Sequence, residues 1–394
     1  MEREATFGAD GSDLEATVLQ RYGDAARKVE ACLCLPVSYE PALLDMIPDE
    51  ILEKDYGCGD PSRYVREGET ILDLGSGSGK ACYIISQIVG AKGKVIGVDF
   101  NPPMLKLARK YQKIVGDRLG YYNVEFRRGK IQDLRTNLEL VEHYLEDNPV
   151  RSVADLARLK AYENKIQCEE PLIADDSIDV IVSNCVLNLV QPEDKNVLFA
   201  EMYRVLKPGG RIAISDIVSD EPVPGHLARD RDLWSACVSG AFQEEDLLRA
   251  FEAAKFYGIK VEDFRSEPYQ TVEGIEFRAV TVTAYKGKEG PCIERNQAVI
   301  YRGPWKQVLD DDGHTLPRGV RIAVCDKTYR LYSRPPYEDQ FILVPPREPV
   351  ALEKAGVFDC SRDHKRHPRE TKGAEFKLTH SSGSACGPGS NCCP

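Results

Sequence analysis

The sequence predicts an open α/β sheet with helices on both faces, followed by a smaller β-rich module and a disordered C-terminal tail. Three observations point there. Short apolar runs alternate with helix-like segments over residues 69–290, the pattern of a sheet with helical crossovers. The first of these runs ends in a cluster of glycines. Beyond residue 290 the composition shifts to proline, acidic turns and short β-type runs.

Taken in order, residues 1–68 read as a helical cap with loops. Thr70-Ile71-Leu72-Asp73-Leu74 is the first strand, Lys94 to Asp99 the second and Val124-Glu125-Phe126 the third. Ile178 to Ser183 is the fourth, and Arg211 to Ser215 the fifth, entered by the turn Lys207-Pro208-Gly209-Gly210. Phe277 to Tyr285 alternates and reads as a late strand. Between strands three and four, the charged segment Arg135 to Glu170 carries Leu138, Val141, Tyr144 and Leu145 at helical spacing. It predicts an inserted helical pair. The expected divisions are therefore a cap at 1–68, a ligand-binding sheet at 69–216 with the insertion at 135–170, a segment at 217–290 that completes the sheet, a β-rich module at 291–346 and a flexible tail at 347–394. The last residues are rich in Ser and Gly and end at Cys386, Cys392 and Cys393; such composition cannot bury a core.

The chain has 394 residues, enough for two domains. Its 52 basic against 63 acidic side chains leave a net charge of −11, which argues against nucleic acid or an anionic membrane as the main partner. A small neutral or cationic substrate fits better. The richest apolar run, Ile178 to Val190, is broken by Asp179, Ser183, Asn184 and Asn188, so no membrane span is expected. The polar start Met1-Glu2-Arg3-Glu4 is no secretory signal, and a cytoplasmic, monomeric protein is expected. In a reducing compartment, 13 cysteines point to metal binding, redox work or catalysis rather than to structural disulfides. Cys82 and Cys325 are read as packing residues; Cys168, Cys292 and Cys360 are given no role.

Asp73-Leu74-Gly75-Ser76-Gly77-Ser78-Gly79 follows the first strand and opens a helix near Lys80. Glycines there allow a tight turn and close approach of a ligand to the backbone. Asp99 closes the next strand, where a carboxylate can bind both hydroxyls of a ribose. Dinucleotide sites use Gly-x-Gly-x-x-Gly with a pyrophosphate at the helix N-terminus. Here the spacing is Gly-x-Gly-x-Gly, preceded by Asp73. An acid is unwelcome beside phosphate but suits an ammonium group. The pattern, with Leu206-Lys207-Pro208-Gly209-Gly210 downstream, resembles the Rossmann-like class I S-adenosylmethionine methyltransferases. Tyr56, Phe100, Met104, Ile131 and Asn184 complete the expected cofactor set with Asp73, Gly75, Ser76, Gly77, Gly79 and Asp99.

Four cysteine settings stand out. They are Tyr56-Gly57-Cys58-Gly59; Ser183-Asn184-Cys185-Val186-Leu187-Asn188; Leu233-Trp234-Ser235-Ala236-Cys237-Val238-Ser239-Gly240-Ala241; and the pair Cys32-Leu33-Cys34. Cys185 follows the fourth strand, and open α/β sheets bind ligands beyond the carboxyl ends of their strands. Together these segments resemble the arsenite S-adenosylmethionine methyltransferase family from about Tyr22 to Tyr285; the insertion at 135–170 departs from it, and the module and cysteine-ended tail resemble one branch of it. The resemblance implies that Cys185 and Cys237 hold arsenic throughout, that Cys58 is a third thiolate and then a redox partner, and that an N-terminal cysteine, Cys34 in preference to Cys32, completes the disulfide chemistry. It further implies arsenite and methylated trivalent arsenicals as substrates, and a thiol reductant, thioredoxin or glutathione, as co-substrate.

The chemistry asks for these residues independently. Trivalent arsenic is soft and selects thiolates, which make its lone pair more nucleophilic. That atom carries no proton, so no general base is needed. Methylation formally oxidises the arsenic, and two cysteines can return it to the trivalent state by forming a disulfide. Two alternatives are an organic-molecule methyltransferase with incidental cysteines and a protein that only sequesters the metalloid. Zinc would call for a Cys-x-x-Cys spacing, which is not found in this sequence.

Overall fold

A computed structural model describes residues 11–28, 30, 37, 39–54, 56–360 and 365–373. The cysteines at 32, 34, 386, 392 and 393 lie outside the described residues. The chain divides into two compact units, residues 1–287 and 288–394.

In the first unit, α1 (Gly11–Ala25) and the short α2 (Pro41–Leu44) and α3 (Asp49–Leu52) precede β1 (Thr70–Leu74). Then follow α4 (Lys80–Val89), β2 (Lys94–Asp99), α5 (Pro102–Leu119), β3 (Val124–Arg128), α6 (Leu138–Asp147), α7 (Val153–Glu169), β4 (Ile178–Asn184), α8 (Lys195–Val205) and β5 (Leu206–Ser219). The unit closes with α9 (Arg231–Ser235), β6 (Phe242–Gln243), α10 (Glu244–Ala253), β7 (Tyr257–Phe264), β8 (Gln270–Val272) and β9 (Ile275–Tyr285). The main sheet runs β3-β2-β1-β4-β5-β9-β7. Strands β1 to β5 are mutually parallel, while β9 lies antiparallel to both β5 and β7.

The strands read as near-continuous apolar runs because the sheet is covered on both faces. Along β4, Val180 and Val182 point into a core with Tyr83, Ile84 and Ile85 of α4 and Leu105 of α5. Ile178 and Ile181 point the other way, onto Leu198, Phe199 and Met202 of α8. From Val180 to Val182 successive residues thus feed two cores by alternation, with a register shift separating them from Ile178. Strand β7 has no counterpart in the sequence reading. It is an outer strand, and residues 259–264 are half-buried or exposed, so the apolar signal is missing. Strand β5 also starts earlier than expected: Leu206 pairs with Ile178, and the register shifts across the Pro208-Gly209 turn before Val180 meets Arg211.

The segment between β3 and β4 holds α6 and α7, joined by stacked Tyr144 and Tyr162 rings with centroids 4.2 Å apart. Among the described residues no helix is long and apolar enough to cross a membrane.

The second unit is built from β10 (Ile293–Glu294), β11 (Ala298–Tyr301), β12 (Gln307–Leu309), β13 (Thr315–Pro317), β14 (Arg321–Ala323), α11 (Asp326–Leu331), β15 (Phe341–Val344), β16 (Gly356–Val357) and α12 (Pro368–Lys372). A three-stranded antiparallel sheet, β14-β11-β15, forms its centre, with Tyr332 stacked on Phe341. The expected flexible tail from residue 347 needs correction. Gly356–Val357 pairs with Ile293–Glu294. Arg366, buried at 3 % exposure, donates two hydrogen bonds to Glu294, at 2.7 and 2.9 Å. The reading of the last residues as too rich in Ser and Gly to bury a core extends too far upstream, where an arginine is buried by pairing.

Replacing Arg366 with alanine leaves Glu294 without its bidentate partner. We expect a loss of roughly 2 kcal/mol in this unit, at the low side for a buried pair because Glu294 keeps some solvent. Urea unfolding followed by a probe in residues 288–373 measures it.

Candidate active site

The glycine loop wraps tightly at the end of β1. Gly75, Gly77 and Gly79 all take positive φ, at 72°, 52° and 88°. The loop's N–H groups are turned inward. Gly75 and Ser76 donate to Val98 O at 2.8 and 3.1 Å, and Gly79 donates to Ser76 O at 2.8 Å. Gly77 donates to Asp99 Oδ2 at 2.8 Å. These four donors are therefore engaged within the chain, which disfavours a pyrophosphate at this helix N-terminus.

Beside the loop lies a solvent-connected cavity. Tyr56, Asp73, Gly75, Ser76, Gly77, Asp99, Phe100, Met104, Ile131 and Asn184 all line it, with Val18 and Tyr22 of α1 and Cys185. Gly79 does not, which corrects its expected place. A side chain there would collide with Phe126, so its glycine serves packing at the start of α4. Asp99 is held by N–H donors from Gly77 and Asn101, and burial raises its carboxyl above the ordinary value. Asp73 accepts the Cys82 S–H at 3.1 Å, so Cys82 orients a wall of the cavity as well as packing.

The residues present suit S-adenosylmethionine. Ser76 Oγ is buried with no hydrogen-bond partner among the described residues, and Ser76 is one of the residues that line the cavity. A methyl on Gly77 would meet nothing within 4 Å, so backbone is open to a ligand at that point. Asp73 offers an acid for an ammonium group, Asp99 one for ribose hydroxyls, and Phe100, Met104 and Ile131 apolar walls.

A second, smaller pocket adjoins. It is lined by Tyr22, Gly57, Cys58, Cys185, Ile217, Ala236, Cys237 and Tyr269. Cys185 and Tyr22 belong to both cavities. Cys58 and Cys185 are joined as a disulfide, with Cα atoms 6.0 Å apart. The Cys237 thiol donates to Cys185 O at 3.0 Å and lies 3.7 Å from the Tyr22 hydroxyl. The three cysteines singled out in the sequence thus meet at one place. In this state Cys58 is bonded to Cys185 rather than to an N-terminal cysteine.

Each loop is fixed by a side chain from another. Asn184 Oδ1 accepts from Cys58 N and Gly59 N at 2.8 and 3.1 Å, and its Nδ2 donates to Gly59 O at 2.8 Å. A side chain on Gly57 would strike Asn184, and one on Gly59 would strike Ser215, so glycine is needed on both sides of Cys58. Asn184 therefore serves the cysteine loop in addition to lining the cofactor cavity. Asp216, just past the predicted fifth strand, accepts from Val186 N, Leu187 N and Ile217 N at 3.1, 2.8 and 2.8 Å. Asn188 Nδ2 donates to Ile217 O and Cys237 O at 2.7 and 3.1 Å, tying the Cys185 loop to the Cys237 loop. Lys195, half-buried, donates to Gly240 O at 2.7 Å, and desolvation lowers it to about 8. The sequence reading missed Asp216, Asn188, Lys195 and Tyr22. For Asp216 and Asn188 a signal existed, since both lie next to strand ends on the ligand-binding rim.

Two of the cysteines sit in backbone that disfavours side chains. Cys185 has φ 56° and Cys237 φ 62°. Cys237 follows α9, where Val238 N bonds to Leu233 O and Cys237 N to Trp234 O, both at 3.0 Å. That is a Schellman cap with cysteine at the position glycine usually fills. Non-glycine residues persist in such conformations where the surroundings over-determine them, often at functional sites. Burial pushes the Cys237 thiol far up, and the Asp216 charge adds to this.

Two outcomes follow for this site. At Cys237 the usual order of alanine over glycine inverts: Cys237→Gly exceeds Cys237→Ala in stability by about 1 kcal/mol, read from denaturant midpoints. Burial holds the Asp216 carboxyl up at about 6. A raised carboxyl favours its protonated form in the fold, so its contribution to stability is full at low pH and declines as pH rises from about 4 to about 6. Relative to Asp216→Asn, the natural chain loses stability across that window, measured by urea titrations at stepped pH.

Comparison with known proteins agrees with this geometry. Residues 66–145 and 146–255 match a methyltransferase domain, and residues 288–376 match a domain of unknown function. The chain is 33 % identical over 329 residues to the arsenite methyltransferase of Aquipseudomonas alcaligenes, covering 80 % of this chain and 84 % of that one. It is 27 % identical over 355 residues to arsenite methyltransferase of Mus musculus, covering 85 % of each. Its fold superposes on the crystal structure of an arsenic(III) S-adenosylmethionine methyltransferase from Chlamydomonas reinhardtii with a TM-score of 0.53 and 26 % identity, over 82 % of this chain and 100 % of that one. With a cofactor cavity beside a three-cysteine pocket and a relative of this similarity along most of its length, the chain belongs to the arsenite methyltransferase family.

Proposed function

We propose that the protein transfers methyl groups from S-adenosylmethionine to trivalent arsenic held by Cys58, Cys185 and Cys237. The observation that carries this reading is the shared wall: Cys185 lines both the cofactor cavity and the three-cysteine pocket. Acceptor and donor sites therefore adjoin.

Asp73, Asp99 and Ser76 would hold the cofactor against the apolar surface of Phe100, Met104 and Ile131. Bound there, S-adenosylmethionine supplies a methyl on a cationic sulfonium. The cysteine thiols take up arsenite by exchange: each As–S bond formed breaks an As–O bond, and the thiol proton leaves with the hydroxide as water. This releases the proton that burial holds on Cys237. Sulfur ligands then leave the arsenic lone pair as the nucleophile. No side chain has to remove a proton from the attacking atom, and the protein contributes placement, worth up to ~7–11 kcal/mol for well-held partners.

Transfer leaves arsenic formally pentavalent. Two cysteine thiolates return it to the trivalent state by giving up two electrons and joining as a disulfide. The Cys58–Cys185 bond supports this pair as one such product. In our reading a cytoplasmic thiol reductant, thioredoxin or glutathione, reopens it by exchange, and the enzyme works as a monomer. Cys34 remains the proposed N-terminal redox cysteine.

Cys185→Ser and Cys237→Ser are expected to lower methylation of arsenite by at least about 10³-fold, with cofactor binding retained. Arsenic speciation after incubation with cofactor and thiol, alongside calorimetric titration with S-adenosylhomocysteine, tests this. Full methylation by either variant overturns the assignment. Bound but unchanged arsenite in the natural chain overturns the activity.

A further inference from the structure

Cys292, Cys325 and Cys360 lie in the second unit, in the region that matches a domain of unknown function. The methyl-transfer site uses none of them. They come from three separate stretches of chain, two of which, at Cys292 and Cys325, meet in one cluster. Cys292 immediately precedes β10, Cys325 follows β14 and caps α11, and Cys360 lies just past β16. Because β10 pairs with β16, Phe358 N donates to Cys292 O at 2.9 Å. Cys292 packs onto a small cluster of Ala323, Cys325 and Phe358.

Cys292 and Cys325 are thus neighbours in one cluster, and burial, with Cys292 beside it, pushes the Cys325 thiol up. Cys325 is 2 % exposed, and its sulfur is held by the Thr328 hydroxyl at 3.2 Å and the Thr328 N–H at 3.5 Å. Cys292 is only half-buried. One sulfur is fixed and the other is reachable from solvent. For packing alone, a half-exposed thiol beside a buried one gains nothing over alanine or valine and brings reactivity.

We propose that Cys292 and Cys325 form a second metalloid site, a dithiol that captures trivalent arsenicals in the β-rich unit. Soft trivalent arsenic selects thiolate pairs. Capture of arsenite forms two As–S bonds and breaks two As–O bonds. The two thiol protons leave with the two hydroxides as water. Arsenic stays trivalent, so no oxidant or reductant takes part. Placing both thiols side by side makes the second bond an intramolecular step, which raises affinity well above that of a single cysteine. The site does not depend on methyl transfer: a chain that captures arsenite here and methylates nothing still carries it.

The test is alkylation of the reduced full-length protein, with and without arsenite, followed by peptide mass spectrometry. Arsenite is expected to slow labelling of Cys292 by at least about tenfold, while exposed Cys168 of α7 labels unchanged. Cys325→Ser is expected to abolish that protection, and Cys292→Ser to lower the arsenic bound per chain by one equivalent. Equal labelling of Cys292 in the natural chain with and without arsenite overturns the site, whatever becomes of the variants. Protection by zinc but not by arsenite, or protection that survives Cys325→Ser, overturns it as well.

Discussion

The architecture of the site depends on cross-loop hydrogen bonding above the carboxyl ends of β4 and β5. Asn184, Asp216 and Asn188 each leave their own stretch of backbone to satisfy another. Buried backbone groups left without partners cost free energy, so each loop is stable only where the others are. Cys58 also packs into a hydrophobic cluster with Ile217, Val238 and Phe277, and the Cys237 loop comes from a short helix of five residues. Amide and carboxylate groups tie together the loops that carry three sulfurs from distant parts of the chain.

Helix α1 adds a second layer. Its Leu14 and Val18 pack on Trp234, and Arg21 reaches the Asp232 carbonyl and the Ser235 hydroxyl at 3.0 and 2.8 Å. Asn101, at the start of α5, donates to Leu19 O at 2.9 Å. The helix is thus anchored to both sides of the site, and Tyr22 stands where the two cavities adjoin. A polar terminal segment with no strong motif ends up as a wall of the active centre.

Much of this was legible in the sequence. The strands β1, β2, β4 and β5 announced themselves as apolar runs because they are buried on both faces, and the glycine loop because its φ values demand it. The cysteines were readable through their neighbours: Gly57 and Gly59 surround Cys58 since Asn184 and Ser215 occupy the space side chains would need. What failed was of a different kind. Strand β7 is half-solvated and lacks the apolar pattern. Gly79 was read by its spacing as a cofactor contact, yet it accommodates Phe126. Arg366 read as tail because its partner, Glu294, is 72 residues away. Asp216 could be placed at a strand end on the ligand-binding rim, but not the Val186 and Leu187 N–H groups it holds 29 to 30 residues away. Pairwise polar contacts at long sequence separation carry no periodicity, so no pattern along the chain reveals them.

The bond between Cys58 and Cys185 has a consequence for how the enzyme meets its surroundings. The same two sulfurs cannot both be joined to each other and grip a metalloid. In the proposed reaction the substrate is then a ligand of the open form alone, and mass action makes it a guardian against idle oxidation. At a hundredfold excess over its dissociation constant it would bias the pair toward the open form by about 2.7 kcal/mol. In such a reaction the substrate itself preserves the thiols that receive it.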